Sequence, residues 1–197
     1  MRDPKQYITE EQALAVIAGT ENLRDEILIS LLWYTGARVS EIINLQISHI
    51  DFKDSTITIR SLKKRAEYYR SIPVPDELIK KIYVFIREGG AGHEHLFTFD
   101  GTHPMSRQAA YNIVRKCCEQ SGADRFGDRK ISRRGFHPHP HVFRHGFAMN
   151  WLKKGGQPEY LQEILGHRSY ETTRSYQRFT KKDLQDAYRK IHDKEKK

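Results

Sequence analysis

Only one stretch of this chain alternates with the period of a strand, and it folds back on itself. Asp54 to Arg60 places Ile57 and Ile59 on one face, and Arg70 to Val74 reads as its partner. Ser61 to Tyr69 then connects the two as a β-hairpin. Every other apolar run of useful length repeats at three and four residues, so a large sheet is excluded. The expected class is mainly α with a small antiparallel β-sheet, an α+β domain.

The helices announce themselves by their ends. Thr9 and Gln12 have the spacing of a capping box. Asp25 to Tyr34 carries Ile27, Leu28, Leu31 and Leu32 on one face and stops near Gly36. A short helix is expected over Ser40 to Leu45. Another spans Asp76 to Glu88 with Leu78, Ile79, Ile82 and Ile86 inward, before the glycines at 89, 90 and 92 break it. Ser106 opens a helix that runs to about Ser121, and Asp124 to Pro140 reads as a basic, irregular loop. A helix from about His141 ends before Gly155, and Pro158 starts a short one closed by Gly166. Ser169 is the expected cap of the next, and Lys181 to Lys197 is a polar tail.

At 197 residues the chain has the size of one domain with room for a full core. Its two cysteines, Cys117 and Cys118, are adjacent, which argues for helix packing in reducing surroundings rather than a disulfide framework. No apolar run approaches the roughly 18 residues of a membrane span, and Met1 to Tyr7 lacks a signal-peptide core. The expected location is cytoplasmic, in association with the nucleoid. Lys and Arg total 34 against 25 Asp and Glu, a formal charge of +9 that favours a polyanionic partner.

Nucleic acid raises the question of phosphodiester chemistry. Breaking that bond without metal or ATP takes a nucleophile, cations to neutralise the non-bridging oxygens, and an acid for the leaving 5′-oxygen. Arginine suits the cationic task because its planar fork grips two oxygens. A tyrosine nucleophile would conserve the bond energy as an ester. The chain holds these residue types in three short boxes. The first is Thr35-Gly36-Ala37-Arg38-Val39-Ser40-Glu41 and the second His141-Val142-Phe143-Arg144-His145. The third is Leu165-Gly166-His167 followed by Thr172, Thr173 and Tyr176, nine positions after the histidine.

In this order the boxes resemble those of the tyrosine site-specific recombinase (phage integrase) family, over about Tyr7 to Phe179. The resemblance implies that Arg38 and Arg144 clamp the scissile phosphate and that Tyr176 attacks it. His167 would donate a hydrogen bond to a non-bridging oxygen, and His141 would help manage the tyrosine proton. Glu41 would support the first arginine box. The family keeps a lysine in the hairpin as the general acid. Lys63 fits a Leu-Lys-x-Arg pattern with a downstream Arg-x-x-Pro strand, Arg70 to Pro73, whereas counting back from Pro73 favours Lys64 or Arg65. DNA contacts are expected at Lys64, Arg65, Arg107 and Arg168.

Residues 1–180 would then form the catalytic domain and 181–197 a basic tail. That tail is expected to form a helix exchanged between protomers, with Leu184, Ala187, Tyr188 and Ile191 at helical spacing. The expected partners are double-stranded DNA at specific sites and, on DNA, a tetramer of this chain, with no cofactor. Many members carry an N-terminal helical domain that clamps the other face of DNA. This sequence starts almost at the catalytic boxes, as a naturally short member or a piece of a longer one would.

Blander readings stand beside these. His137, His139 and His141 alternate with prolines rather than following a zinc-finger spacing. Tyr160 and Tyr170 lack the lead-in of Tyr176. The same chemistry also serves type IB topoisomerases, and the same fold could serve a non-catalytic DNA-binding regulator.

Overall fold

The computed structural model describes residues 7–61, 68–122 and 138–166. The expected hairpin tip, most of the basic loop, the helix after Ser169 and the polar tail lie outside these residues.

The first helix, α1 (Glu10–Ala18), starts at the expected capping box: the Gln12 N–H donates to Thr9 Oγ1 at 3.3 Å and the Thr9 N–H to Gln12 Oε1 at 2.9 Å. Helix α2 (Leu23–Thr35) is capped by Asn22, whose Oδ1 accepts from the Asp25 N–H at 3.0 Å. Its apolar residues run around the cylinder rather than along one stripe. Ile27, Leu28, Ile29, Leu31, Leu32 and Trp33 are all buried, so α2 is the central core helix. It packs against α1 and against three later helices, α4 (Asp76–Arg87), α5 (Arg107–Gln120) and α6 (Pro140–Lys153). Between α2 and the sheet sits the short α3 (Val39–Ile43).

The sheet has three antiparallel strands in the order β1 (Ile50–Asp51), β2 (Thr56–Arg60), β3 (Tyr69–Pro73). The hairpin was legible in the sequence; β1 was not, because two residues are too few to show alternation. In the β2–β3 register Ile57 faces Ile72 and Ile59 faces Arg70. Those four share the buried face, so an arginine occupies an inward position on β3.

Helix α4 buries Leu78, Ile79 and Ile82 as expected, but the fourth buried residue is Phe85, with Ile86 only partly covered. Gly90 explains the difference. A Cβ there would stand 2.2 Å from the Phe85 ring, so the glycine leaves the room that the ring occupies. Helix α5 begins at the expected cap, with the Ala109 N–H donating to Ser106 Oγ at 3.2 Å. It buries Cys117 and Cys118, both free, and burial pushes the Cys117 thiol up to about 11.

Helix α6 starts at Pro140, just ahead of the expected His141, and α7 (Pro158–Leu165) ends at Gly166 in the left-handed conformation, φ 63°. Gly146 brings α6 against the segment entering α1: a Cβ there would meet the Ile8 carbonyl oxygen at 2.3 Å. One core runs from Ile8 to Phe143, and a smaller one joins Ala148, Leu161 and Leu165 between α6 and α7. Each fully buried Ile or Leu contributes about 1.5–3 kcal/mol. Among the described residues no helix is long and apolar enough to cross a membrane.

Candidate active site

The first arginine box lies where α2 gives way to α3. Gly36 ends α2 with φ 58°, and a Cβ there would stand 2.6 Å from the Phe147 ring and 2.8 Å from Leu165 Cδ2. Both the turn and the close approach of α6 and α7 therefore require glycine. Thr35 stabilises the turn, its Oγ1 donating to the Leu31 carbonyl at 2.6 Å and accepting from the Ala37 N–H at 3.1 Å.

Arg38 is the N-cap of α3. An arginine side chain cannot accept a capping hydrogen bond, so the cap comes from Glu41 three residues on. Glu41 Oε2 accepts the Arg38 backbone N–H at 3.0 Å, and Glu41 Oε1 accepts Arg38 Nη1 at 3.0 Å. The Arg38 side chain keeps 20% of its surface exposed while that of Glu41 keeps 1%, so the guanidinium reaches the surface from a buried anchor.

Arg70 is the second partner of Glu41. From the inward face of β3 its Nη2 donates to Glu41 Oε2 at 2.7 Å, and its Nε donates to the Ile164 carbonyl at 2.7 Å. Burial pushes the Glu41 carboxyl up, but the Arg70 charge and hydrogen bond, with the Arg38 N–H and charge, outweigh it. Glu41 is held below the ordinary glutamate range and stays ionised.

Arg144, on the buried side of α6, completes the arrangement. Its Nη1 donates to the Gly36 carbonyl at 2.7 Å and its Nη2 to the Leu165 carbonyl at 2.9 Å. The last carbonyls of a helix have no partner within it and sit at the negative end of its dipole. Two arginines, Arg70 and Arg144, thus cap adjacent carbonyls at the C-terminus of α7. The chain of contacts forms a ring. Arg38 binds Glu41, Glu41 binds Arg70, Arg70 and Arg144 bind adjacent carbonyls of α7, and Arg144 returns to Gly36, two residues from Arg38.

The structure thus brings Arg38, Glu41 and Arg144 together and adds Arg70. His141 lies one turn before Arg144, exposed, with its ring 6.4 Å from that of His145 and 6.1 Å from that of His139. Arg107 is exposed at the start of α5, outside the ring. Lys63, Lys64, Arg65, His137, His167, Arg168 and Tyr176 lie outside the described residues. Among the described residues no group of three or more His, Cys, Asp or Glu could hold a metal ion. Arg70 could have been singled out from sequence by parity, since it shares the inward side of β3 with Ile72.

The family model described as phage integrase family matches residues 6–183. The chain belongs to the phage integrase family. Within it, the chain is 30% identical over 198 residues to the tyrosine recombinase XerA of Pyrococcus furiosus, an alignment covering 95% of this chain and 64% of that relative. The tyrosine recombinase XerD of Corynebacterium glutamicum is 31% identical over 178 residues, with 89% and 55% covered. The crystal structure of XerA recombinase superimposes with a TM-score of 0.75 at 27% identity, over 95% of this chain and 66% of that one. The mainly α fold with its small sheet is therefore that of the phage integrase family.

Proposed function

We propose that this chain is a site-specific DNA recombinase that cuts and rejoins strands through a covalent bond to Tyr176. The observation that carries the reading is the ring itself. It anchors Arg38 and Arg144, the arginines of two separate boxes, to one turn at Gly36. Such preorganisation lets cations neutralise a transition state without rearranging as charge develops. The net charge of +9 supports a phosphate-bearing partner, and the relatives' name, tyrosine recombinase, supports the reaction class.

In this scheme Arg38 and Arg144 hold the non-bridging oxygens, and His167 donates a further hydrogen bond. Tyr176 Oη attacks the phosphorus while the bond to the 5′-oxygen breaks. The tyrosine proton leaves towards His141, and Lys63, or its neighbour Lys64, protonates the departing 5′-oxygen. The products are a 3′-phosphotyrosine and a free 5′-hydroxyl. Attack by a 5′-hydroxyl from a second duplex reverses the chemistry and exchanges strands, without metal or ATP. A tetramer on DNA would pass through a Holliday junction, with residues 181–197 reaching a neighbouring protomer. Lys64, Arg65, Arg107 and Arg168 would contact the DNA, so binding should weaken steeply with salt.

The test is a nicked duplex carrying DNA from the flanks of the gene. Loss of the short strand beyond the nick traps any covalent adduct. Wild type should form a protein–DNA adduct that survives denaturant, and Tyr176→Phe should form none. An adduct that persists in Tyr176→Phe would put the nucleophile elsewhere. Relaxation of a plasmid lacking any recombination site would favour a topoisomerase instead.

A further inference from the structure

We infer that Arg70, with Tyr68 two residues before it, is a positioning residue for the two phosphate-clamping arginines, a role that rests on the reaction proposed above. Arg70 sits on the buried face of β3, opposite Ile59, where an apolar side chain would pack. It is 4% exposed, and its Nη1 has no hydrogen-bond partner among the described residues. A buried ion pair with an unsatisfied donor is a poor source of stability, and apolar replacement of such pairs is often neutral or favourable. What the arginine supplies is geometry. Its planar fork spans two acceptors on different elements, the Glu41 carboxylate that orients Arg38 and the Ile164 carbonyl of α7. The next carbonyl, Leu165, holds Arg144. Arg70 therefore fixes the anchor of one arginine relative to the anchor of the other. It also lies against Gly166, where a Cβ would meet Arg70 Nη1 at 3.4 Å. Tyr68, the residue just before β3, makes a second tie to the same helix, its hydroxyl donating to Glu163 Oε1.

A misplacement of about 1 Å can cost on the order of 10²-fold in rate. Arg70→Lys keeps the charge beside Glu41 but replaces the fork with a single ammonium. Its adduct formation should be compared with wild type on two versions of the nicked duplex. One carries the normal scissile phosphodiester. In the other a methylphosphonate replaces it, so that a methyl group takes the place of one charged oxygen and leaves the arginines little charge to neutralise. Positioning predicts a loss of roughly 10²-fold on the phosphodiester and under about 10-fold on the methylphosphonate. The ratio of the two losses is unaffected by the folded fraction, because both are read on one preparation.

Tyr68→Phe leaves the Glu41–Arg70 pair whole and should show the same substrate dependence with a smaller loss. It decides the matter if Arg70→Lys fails to fold. Equal losses on the two substrates, or no loss on the phosphodiester, would overturn the positioning role. A wild type that forms no adduct on either substrate would instead overturn the reaction itself.

Discussion

Glu41 and Glu21 each accept hydrogen bonds from two residues at short range, the first carboxylate buried and the second exposed. Glu41 accepts Arg70 Nη2 at 2.7 Å and two groups of Arg38 at 3.0 Å. Glu21 accepts Lys116 Nζ at 2.7 Å and Gln120 Nε2 at 2.5 Å. Judged by distance the two sites are equals. Their surroundings are not: the Glu41 and Arg70 side chains keep 1% and 2% of their surface, those of Glu21 and Lys116 59% and 54%. Both carboxyls lie below the ordinary glutamate range, for different reasons. At Glu41 burial pushes the group up and the arginines overcome it, whereas at Glu21 the Lys116 hydrogen bond lowers a group that stays in water. When one partner is lost, water can take its place at Glu21 but not at Glu41. Buried contacts can therefore specify a geometry that exposed ones only decorate.

The strongest way to break this contrast is Glu41→Ala. It strands Arg70 as an uncompensated buried charge, and loss of one partner of such a pair costs about 3–5 kcal/mol. Urea unfolding should show that loss as a lowered midpoint with the slope unchanged. A cost below about 1 kcal/mol would mean that water reaches Arg70 as freely as it reaches Lys116.

Acid sharpens the contrast by a smaller amount. Because the folded value of Glu41 is depressed, its stabilisation is fully present above the ordinary glutamate value of about 4.3. It is lost as the pH falls through the lower folded value. Wild type should therefore lose more stability than Glu41→Gln between neutral pH and about pH 3. Exposed groups such as Glu21 and Asp51 are lowered too, but their contribution is screened by salt. The difference between wild type and Glu41→Gln should survive high salt. A difference that vanishes in salt would place Glu41 with the exposed groups.

The same divide explains what the sequence disclosed. Caps and periodicity are local, so Thr9, Gln12, Ser106 and the glycines at 36 and 166 marked helix ends correctly. Arg38, Glu41 and Arg144 stood out because they sit within short boxes. Arg70 sits in none, and its importance comes from a helix 94 residues away in sequence. The ring closes through the carbonyls of Gly36, Ile164 and Leu165, and a backbone carbonyl has no letter of its own. Phe85 displaced Ile86 from the core for a similar reason, since the deciding contact is the missing side chain of Gly90.

The smallest expected effect is the control. Lys116→Ala removes the ammonium from Glu21 on the exposed side of α5, where the side chains on both sides of the pair are more than half exposed. Gln120 still donates to Oε1, and water can solvate the freed oxygen. The urea midpoint at moderate salt should match wild type within scatter, and adduct formation should be untouched. If Lys116→Ala instead shifted the midpoint as far as Glu41→Ala, similar distances would have implied similar energies after all. The ring at the arginines would then be one ion-pair cluster among several rather than the part of the fold that sets the site.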